Sequence, residues 1–110
     1  MAFIAGSVIS FFTGSSWGTF AICIPIAVPM AYSFTGGQLG TLVYAAVGAV
    51  VSGGLFGDHC SPVSDTTVLS SLGAACDHID HVRTQLPYAL LAAAVSIILW
   101  IVVALVGGAV

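Results

Sequence analysis

The sequence predicts an all-α integral membrane protein, and three observations carry that prediction. Of its 110 residues 59% are hydrophobic and only 5% charged, with a mean hydropathy of +1.16. A soluble domain carries roughly 25% Asp, Glu, Lys and Arg and needs them to cover its surface. Every Asp, His and Arg falls between Asp58 and Arg83, and there is no Glu or Lys. The neutral blocks on either side are long enough to cross a bilayer at about 20 apolar residues per pass. The same composition excludes a disordered chain, which is poor in hydrophobics and rich in charge. With Arg83 as its sole Lys or Arg, the chain lacks the basic face that a nucleic-acid partner would need. Cys23, Cys60 and Cys76 are too few and odd in number for a disulfide scaffold.

Residues 1–12 are apolar and too short to span, and residues 13–18 form a polar break of small residues. The apolar run resumes over 19–34, interrupted by Pro25 and Pro29. Two limbs around a polar tip read as a re-entrant hairpin over residues 1–34; a single kinked span is the alternative. Residues 35–38 read as a turn. Residues 39–56 are an apolar run of helix length, and small residues recur four apart in it and beside it: Gly36 and Gly40, Gly48 and Ser52, Gly53 and Gly57. In membranes that spacing lets helix backbones approach closely.

The stretch 57–67 cannot be ordinary helix in lipid, because Gly57 and Pro62 break it and its two acids need partners. Residues 68–76 then form a short apolar half-helix, with Ser64, Asp65 and Thr66 as candidate N-caps. Residues 39–76 are therefore expected as a broken helix with a polar centre, 77–87 as a polar loop, and 88–106 as a terminal transmembrane helix. Arg83 in the loop places it in the cytoplasm by the positive-inside rule. Tyr88 near the start of the last span and Trp100 well inside it give only a partial aromatic belt.

The chemistry concentrates in the central break. A carboxylate inside a membrane is costly, by roughly 2.5–3.5 kcal/mol on insertion scales, and persists where it faces a cavity, a partner or an ion. Asp58 and Asp65 are surrounded by the hydroxyls of Ser61, Ser64, Thr66 and Thr67. Carboxylates, hydroxyls and freed carbonyls are hard oxygen ligands suited to a small cation such as sodium, for which Asp65, Asp58, Ser64 and Thr66 are the foremost candidates. Thr13, Ser15 and Ser16 at the first break would add oxygens if the two breaks meet near the membrane midplane. An extramembrane loop with solvated acids is the plain alternative for the first set. Ser/Thr bonding to the preceding helical turn is the alternative for the second. Of the carboxylates, Asp65 is the leading candidate. It lies between two hydroxyls at the start of a half-helix whose N-terminus favours the ionised form, while burial opposes it.

Enzymatic readings fail on context. Gly14-Ser15-Ser16-Trp17-Gly18 fits a nucleophile pattern that needs a strand–turn–helix on a sheet, which this composition cannot build. An intramembrane serine protease built on Ser16 would need a histidine, and all three lie in or beside the polar loops. Asp58 and Asp65 as an aspartyl pair lack any peptide-binding element. Cys76-Asp77-His78-Ile79-Asp80-His81 has zinc-capable groups but no firm fourth ligand.

The run Gly57-Asp58-His59-Cys60-Ser61-Pro62-Val63-Ser64-Asp65-Thr66-Thr67, followed by Cys76-Asp77-His78-Ile79-Asp80-His81-Val82-Arg83, resembles the C-terminal signature of NhaC-type sodium/proton antiporters. Thr13-Gly14-Ser15-Ser16-Trp17-Gly18-Thr19 is similar to an earlier element of the same family. The resemblance covers essentially the whole chain. It implies part of an inverted-repeat ion-transporter fold with paired hairpins, and Na+ and H+ as transported ions rather than cofactors. It also implies a multipass location in the membrane, the inner membrane of a bacterial cell, and no enzymatic activity. Family members are several times longer, so the chain is expected to be a fragment that needs the rest of the transporter, or a second copy, as partner. A sodium-coupled exchanger of organic acids such as malate and lactate is the alternative within the family. A small non-transporting membrane subunit is the alternative outside it.

Overall fold

The computed structural model describes residues 1–109, and these contain five helices and no strand. In order they are α1 (Ala2–Thr13), α2 (Ser16–Phe34), α3 (Thr41–Cys60), α4 (Asp65–Gly73) and α5 (His78–Ala109). Three are long and apolar enough to cross a membrane: Ser16–Phe34, Thr41–Cys60 and the stretch His78–Gly107 of α5.

The first break is narrower than the sequence suggests. Thr13 still belongs to α1 and Ser16 already to α2, so only Gly14 and Ser15 leave the helix. Gly14 takes the left-handed conformation at φ 66° that ends a helix, and its N–H bonds back to the Ser10 carbonyl. Ser15 is extended and caps α2, its Oγ accepting the Gly18 N–H at 3.3 Å. Across this joint the chain reverses. Along α1, Phe3 meets Gly53, Ser10 meets Gly57 and Gly14 meets Val63, so α1 runs parallel to α3. Along α2, Ser16 lies by Asp58 and Phe20 packs on Gly54, so α2 runs antiparallel to it. The result is a helical hairpin, but α2 has 19 residues and is of span length, with Pro25 and Pro29 inside it.

Helix α3 is the centre of the packing. A Cβ on Gly57 would overlap the Ser7 carbonyl and meet the Phe11 nitrogen at 2.9 Å, and one on Gly53 would overlap the Phe3 carbonyl. The pair four residues apart thus lets two backbones touch, the contact that replaces hydrophobic driving force between helices in lipid. On its other side, α3 receives α5. The indole of Trp100 lies over Gly48 and its Nε1–H donates to Ser52 Oγ at 2.9 Å. Trp100 therefore serves a helix–helix contact.

The second break is also shorter than expected. Gly57 to Cys60 complete α3, and Asp65 opens α4, so residues 61–64 alone are non-helical. The polar segment 77–87 is not a loop: from His78 onward it forms the first turns of α5, which passes through Pro87 and is 32 residues long. The cause is a cap. Asp77 Oδ1 accepts the N–H groups of Ile79 at 2.9 Å and Asp80 at 3.3 Å, satisfying donors that would otherwise be orphaned. At 1.5 Å per residue α5 is about 48 Å long, beyond the roughly 30 Å hydrocarbon layer, so its polar beginning need not lie in lipid.

Both breaks sit beside each other at the C-terminal end of α3 and the N-terminal end of α2. They lie towards one end of the long helices rather than halfway along.

Candidate functional site

The two breaks form one joint. Ser61 Oγ donates to the Phe11 carbonyl at 2.7 Å and accepts the Val63 N–H at 3.2 Å, while Ser10 Oγ donates to the Gly54 carbonyl at 2.6 Å. The last carbonyls of a helix lack partners within it, and Ser61 supplies one from the opposite break. It is fully buried, so its oxygen braces backbone. Beneath the joint, His78 Nε2 donates to the Pro62 carbonyl at 2.6 Å and its Nδ1 lies 3.3 Å from Ser71 Oγ. Ser71 in turn donates to Val68 and takes a long contact from Cys76 Sγ. His78 thereby ties the start of α5 to the break and to α4. Among the described residues no three His, Cys or Asp side chains gather as a metal site.

Asp58 occupies the last turn of α3 and is 7% exposed. Its Oδ1 accepts a hydrogen bond from Ser64 Oγ. Ser64 has one hydroxyl proton, so the 2.8 Å contact between Ser64 Oγ and Thr66 Oγ1 must be donated by Thr66. The order is Thr66 to Ser64 to Asp58, a chain of hydroxyls ending on a carboxylate. Asp58 Oδ2 has no hydrogen-bond partner and is not among the enclosed atoms.

A cavity of about 280 Å³ opens beside it, lined by Ser16, Leu55, Asp58, His59, Thr66, Thr67, Ser70 and Gln85. Four elements contribute: the start of α2, the end of α3, the start of α4 and the early part of α5. The position of each expected site residue follows from its element. Asp58, Thr66, Thr67 and Ser16 line the cavity, and Ser64 reaches it through Asp58. Thr13 and Ser15 do not line it. Thr13 Oγ1 bonds the Ile9 carbonyl at 2.9 Å, and Ser15 is the cap of α2. Asp65 is exposed and outside the cavity, its Oδ1 accepting the N–H of Thr66 at 2.8 Å. Asp58, rather than Asp65, is the carboxylate that the fold turns inward.

Three polar lining residues, and the apolar Leu55, were missed in the sequence. His59 follows Asp58 in the motif; its Nδ1 donates to the Leu55 carbonyl at 2.9 Å, which places the proton on that nitrogen. Ser70 and Gln85 lie one and several turns into their helices, and only helical phase brings them to the cavity. A second, largely apolar cavity of about 390 Å³ lies between α1, α3 and α5, and Leu55, His59 and Gln85 line both.

Residues 1–105 match the sequence profile of the Na+/H+ antiporter family. A protein of Haemophilus influenzae with no assigned function is 52% identical over 92% of the chain. The malate-2H(+)/Na(+)-lactate antiporter of Bacillus subtilis is 37% identical over 93% of it. The Na(+)/H(+) antiporter NhaC of Alkalihalophilus pseudofirmus is 34% identical over 87% of it. The chain covers 19%, 21% and 20% of these three proteins, so it spans about a fifth of the curated relatives it matches. No solved structure matches the chain significantly.

Proposed function

Because the chain belongs to the Na+/H+ antiporter family, we propose that it is the C-terminal part of a secondary-active antiporter, exchanging Na+ for H+ at Asp58. The observation that carries this reading is the buried Asp58 carboxylate, with one oxygen held by Ser64 and the other open to a cavity walled by hydroxyls. A sodium ion in that cavity takes its charge balance from Asp58 and its remaining oxygens from Ser16, Thr66 and Thr67, a hard donor set. A proton on Asp58 cancels the charge that holds the ion. Sodium and proton therefore exclude each other at one group, and alternating access converts that exclusion into exchange. Protonated Asp58 can donate to Ser64, which reverses the hydroxyl chain towards Thr66 without moving any heavy atom.

In this reading the α1–α2 hairpin is re-entrant, and an inverted repeat elsewhere in the transporter, or a second copy, completes the site. The setting is a bacterial inner membrane crossed several times. The test is sodium-driven proton flux in proteoliposomes of the full-length protein that carries this segment. Flux that needs sodium and is lost in Asp58→Asn supports the reading; sodium-independent flux rejects it.

Sodium-coupled organic-acid exchange is the second reading, favoured by the 37% identity to a malate/lactate antiporter. Counterflow of labelled malate or lactate separates the two, because only the second carries a carboxylate across.

A further inference from the structure

Among the described residues, the one buried side-chain oxygen or nitrogen without a hydrogen-bond partner is Gln85 Oε1. Of the other buried polar groups of this region, Ser10, Ser61, Ser64 and Ser71 each bond a carbonyl or a carboxylate, while the hydroxyls of Ser16 and Thr67 and the second oxygen of Asp58 have no partner but are not enclosed. An enclosed amide oxygen that lacks a donor is an exception that calls for a partner. Gln85 also lines the Asp58 cavity, from a helix that belongs to neither break. Its side-chain nitrogen has no partner either and is not enclosed, and a half-turn of the amide would bring the oxygen to that more open position.

We propose that Gln85 is a cation ligand of this site, presenting its amide oxygen to the monovalent cation held at Asp58. The proposal rests on the exchange reading above and adds a residue from α5 to it. Charge decides for a cation over an anion. Asp58 gives the cavity a negative charge, and Arg83, the chain's only Lys or Arg, does not line it. An anion there would be repelled, whereas a cation would give the amide oxygen the partner it lacks. An amide carbonyl is a neutral hard ligand, so it adds coordination without adding charge, which preserves the one-for-one competition between cation and proton at Asp58. Leu55, His59 and Gln85 also form the wall shared by the polar and the apolar cavity. Turning the amide towards a bound ion therefore changes the polarity of that wall when the site fills.

The experiment measures sodium dependence of proton flux in the full-length antiporter with Gln85→Leu, Gln85→Glu and Asp58→Asn. Gln85→Leu should raise the apparent KM for sodium about tenfold with maximal rate within a factor of two, and Gln85→Glu, which keeps an oxygen but adds a titratable charge, should lower the sodium KM at high pH and lose that gain as the pH falls. If the leucine variant fails to insert, Gln85→Met replaces it with the same expectation. An unchanged sodium KM in the apolar variant, with Asp58→Asn inactive, overturns the role of Gln85 and leaves the exchange reading intact. Undiminished exchange in Asp58→Asn overturns the exchange reading and the ligand role with it. An unchanged sodium KM joined to a raised KM for labelled malate or lactate also overturns the cation assignment, because it gives the amide to an anion.

Discussion

A Cβ on Gly14 would lie 3.0 Å from both the carbonyl carbon and the carbonyl oxygen of Val63. The turn of the hairpin and the turn of the broken helix are thus in backbone contact, and neither can shift alone. Gly14 is also left-handed at φ 66°, a conformation that costs an L-residue roughly 1–2 kcal/mol. Gly14→Ala should therefore suffer twice, lowering the thermal stability of the purified protein by about 2 kcal/mol or more and slowing exchange in the full-length transporter. Gly36→Ala has a similar φ of 70° but nothing within 4 Å, so it should show the backbone penalty alone.

Asp58→Asn in the full-length protein should abolish sodium-dependent proton flux, since the amide keeps the shape and loses both the charge and the titratable proton. Asp65→Asn should retain most of the flux. Asp65 is exposed in the first turn of α4, where a negative charge contributes about 0.3–1 kcal/mol to the helix. Flux assays on both variants, with insertion checked, settle the order; loss in Asp65→Asn alone would move the site to the outer carboxylate.

Ser64→Ala should leave Asp58 Oδ1 and Thr66 Oγ1 without their common partner. Removing one side of a buried hydrogen bond costs about 1–3 kcal/mol. The expected outcome is weaker sodium affinity by roughly tenfold, since 1.4 kcal/mol is a factor of ten. Ser64→Thr keeps the hydroxyl and should restore most of it, as a sodium titration of exchange would reveal.

Trp100→Phe removes the N–H donated to Ser52 and should cost about 0.6 kcal/mol, the average for such bonds between membrane helices. Gly48→Ala should cost more, because its Cβ would meet the indole Cη2 at 2.5 Å. Unfolding in mixed detergent, read on the tryptophan fluorescence, ranks the two.

The 110-residue chain reconstituted alone should give no sodium-dependent proton flux above empty liposomes, because sites of this kind are built between two repeats. Robust exchange from it would favour a small transporter that assembles from identical copies.

The breaks were legible because the polar clusters of small residues around Gly14 and Pro62 disfavour helix in an apolar chain, and the Gly53–Gly57 spacing marked a close backbone approach without naming α1 as its partner. Which carboxylate turns inward was not legible. Asp58 and Asp65 sit on opposite sides of Pro62, the richer set of neighbouring hydroxyls favours Asp65, and their facing depends on how α3 and α4 are rotated about the break. Polar composition suggested a loop at 77–87, whereas the Asp77 cap and the anchoring of His78 on Pro62 and Ser71 hold it as helix. Gln85 carried no signal at all. A single glutamine acquires meaning only when α5 brings it to the cavity that Asp58 lines.

The cavity's place at the end of α3, near the polar beginning of α5, has an electrical consequence. In a bilayer the potential falls across the apolar layer, and the stretch of α5 apolar and long enough to cross that layer extends beyond Gln85. In the exchange proposed above, an ion arriving at Asp58 from the near face would traverse little of that field, while one leaving towards the far face would traverse most of it, worth about 2.3 kcal/mol per charge per 100 mV. Membrane voltage should thus act on one limb of the cycle, leaving sodium affinity on the near face almost untouched while changing the rate of passage to the other.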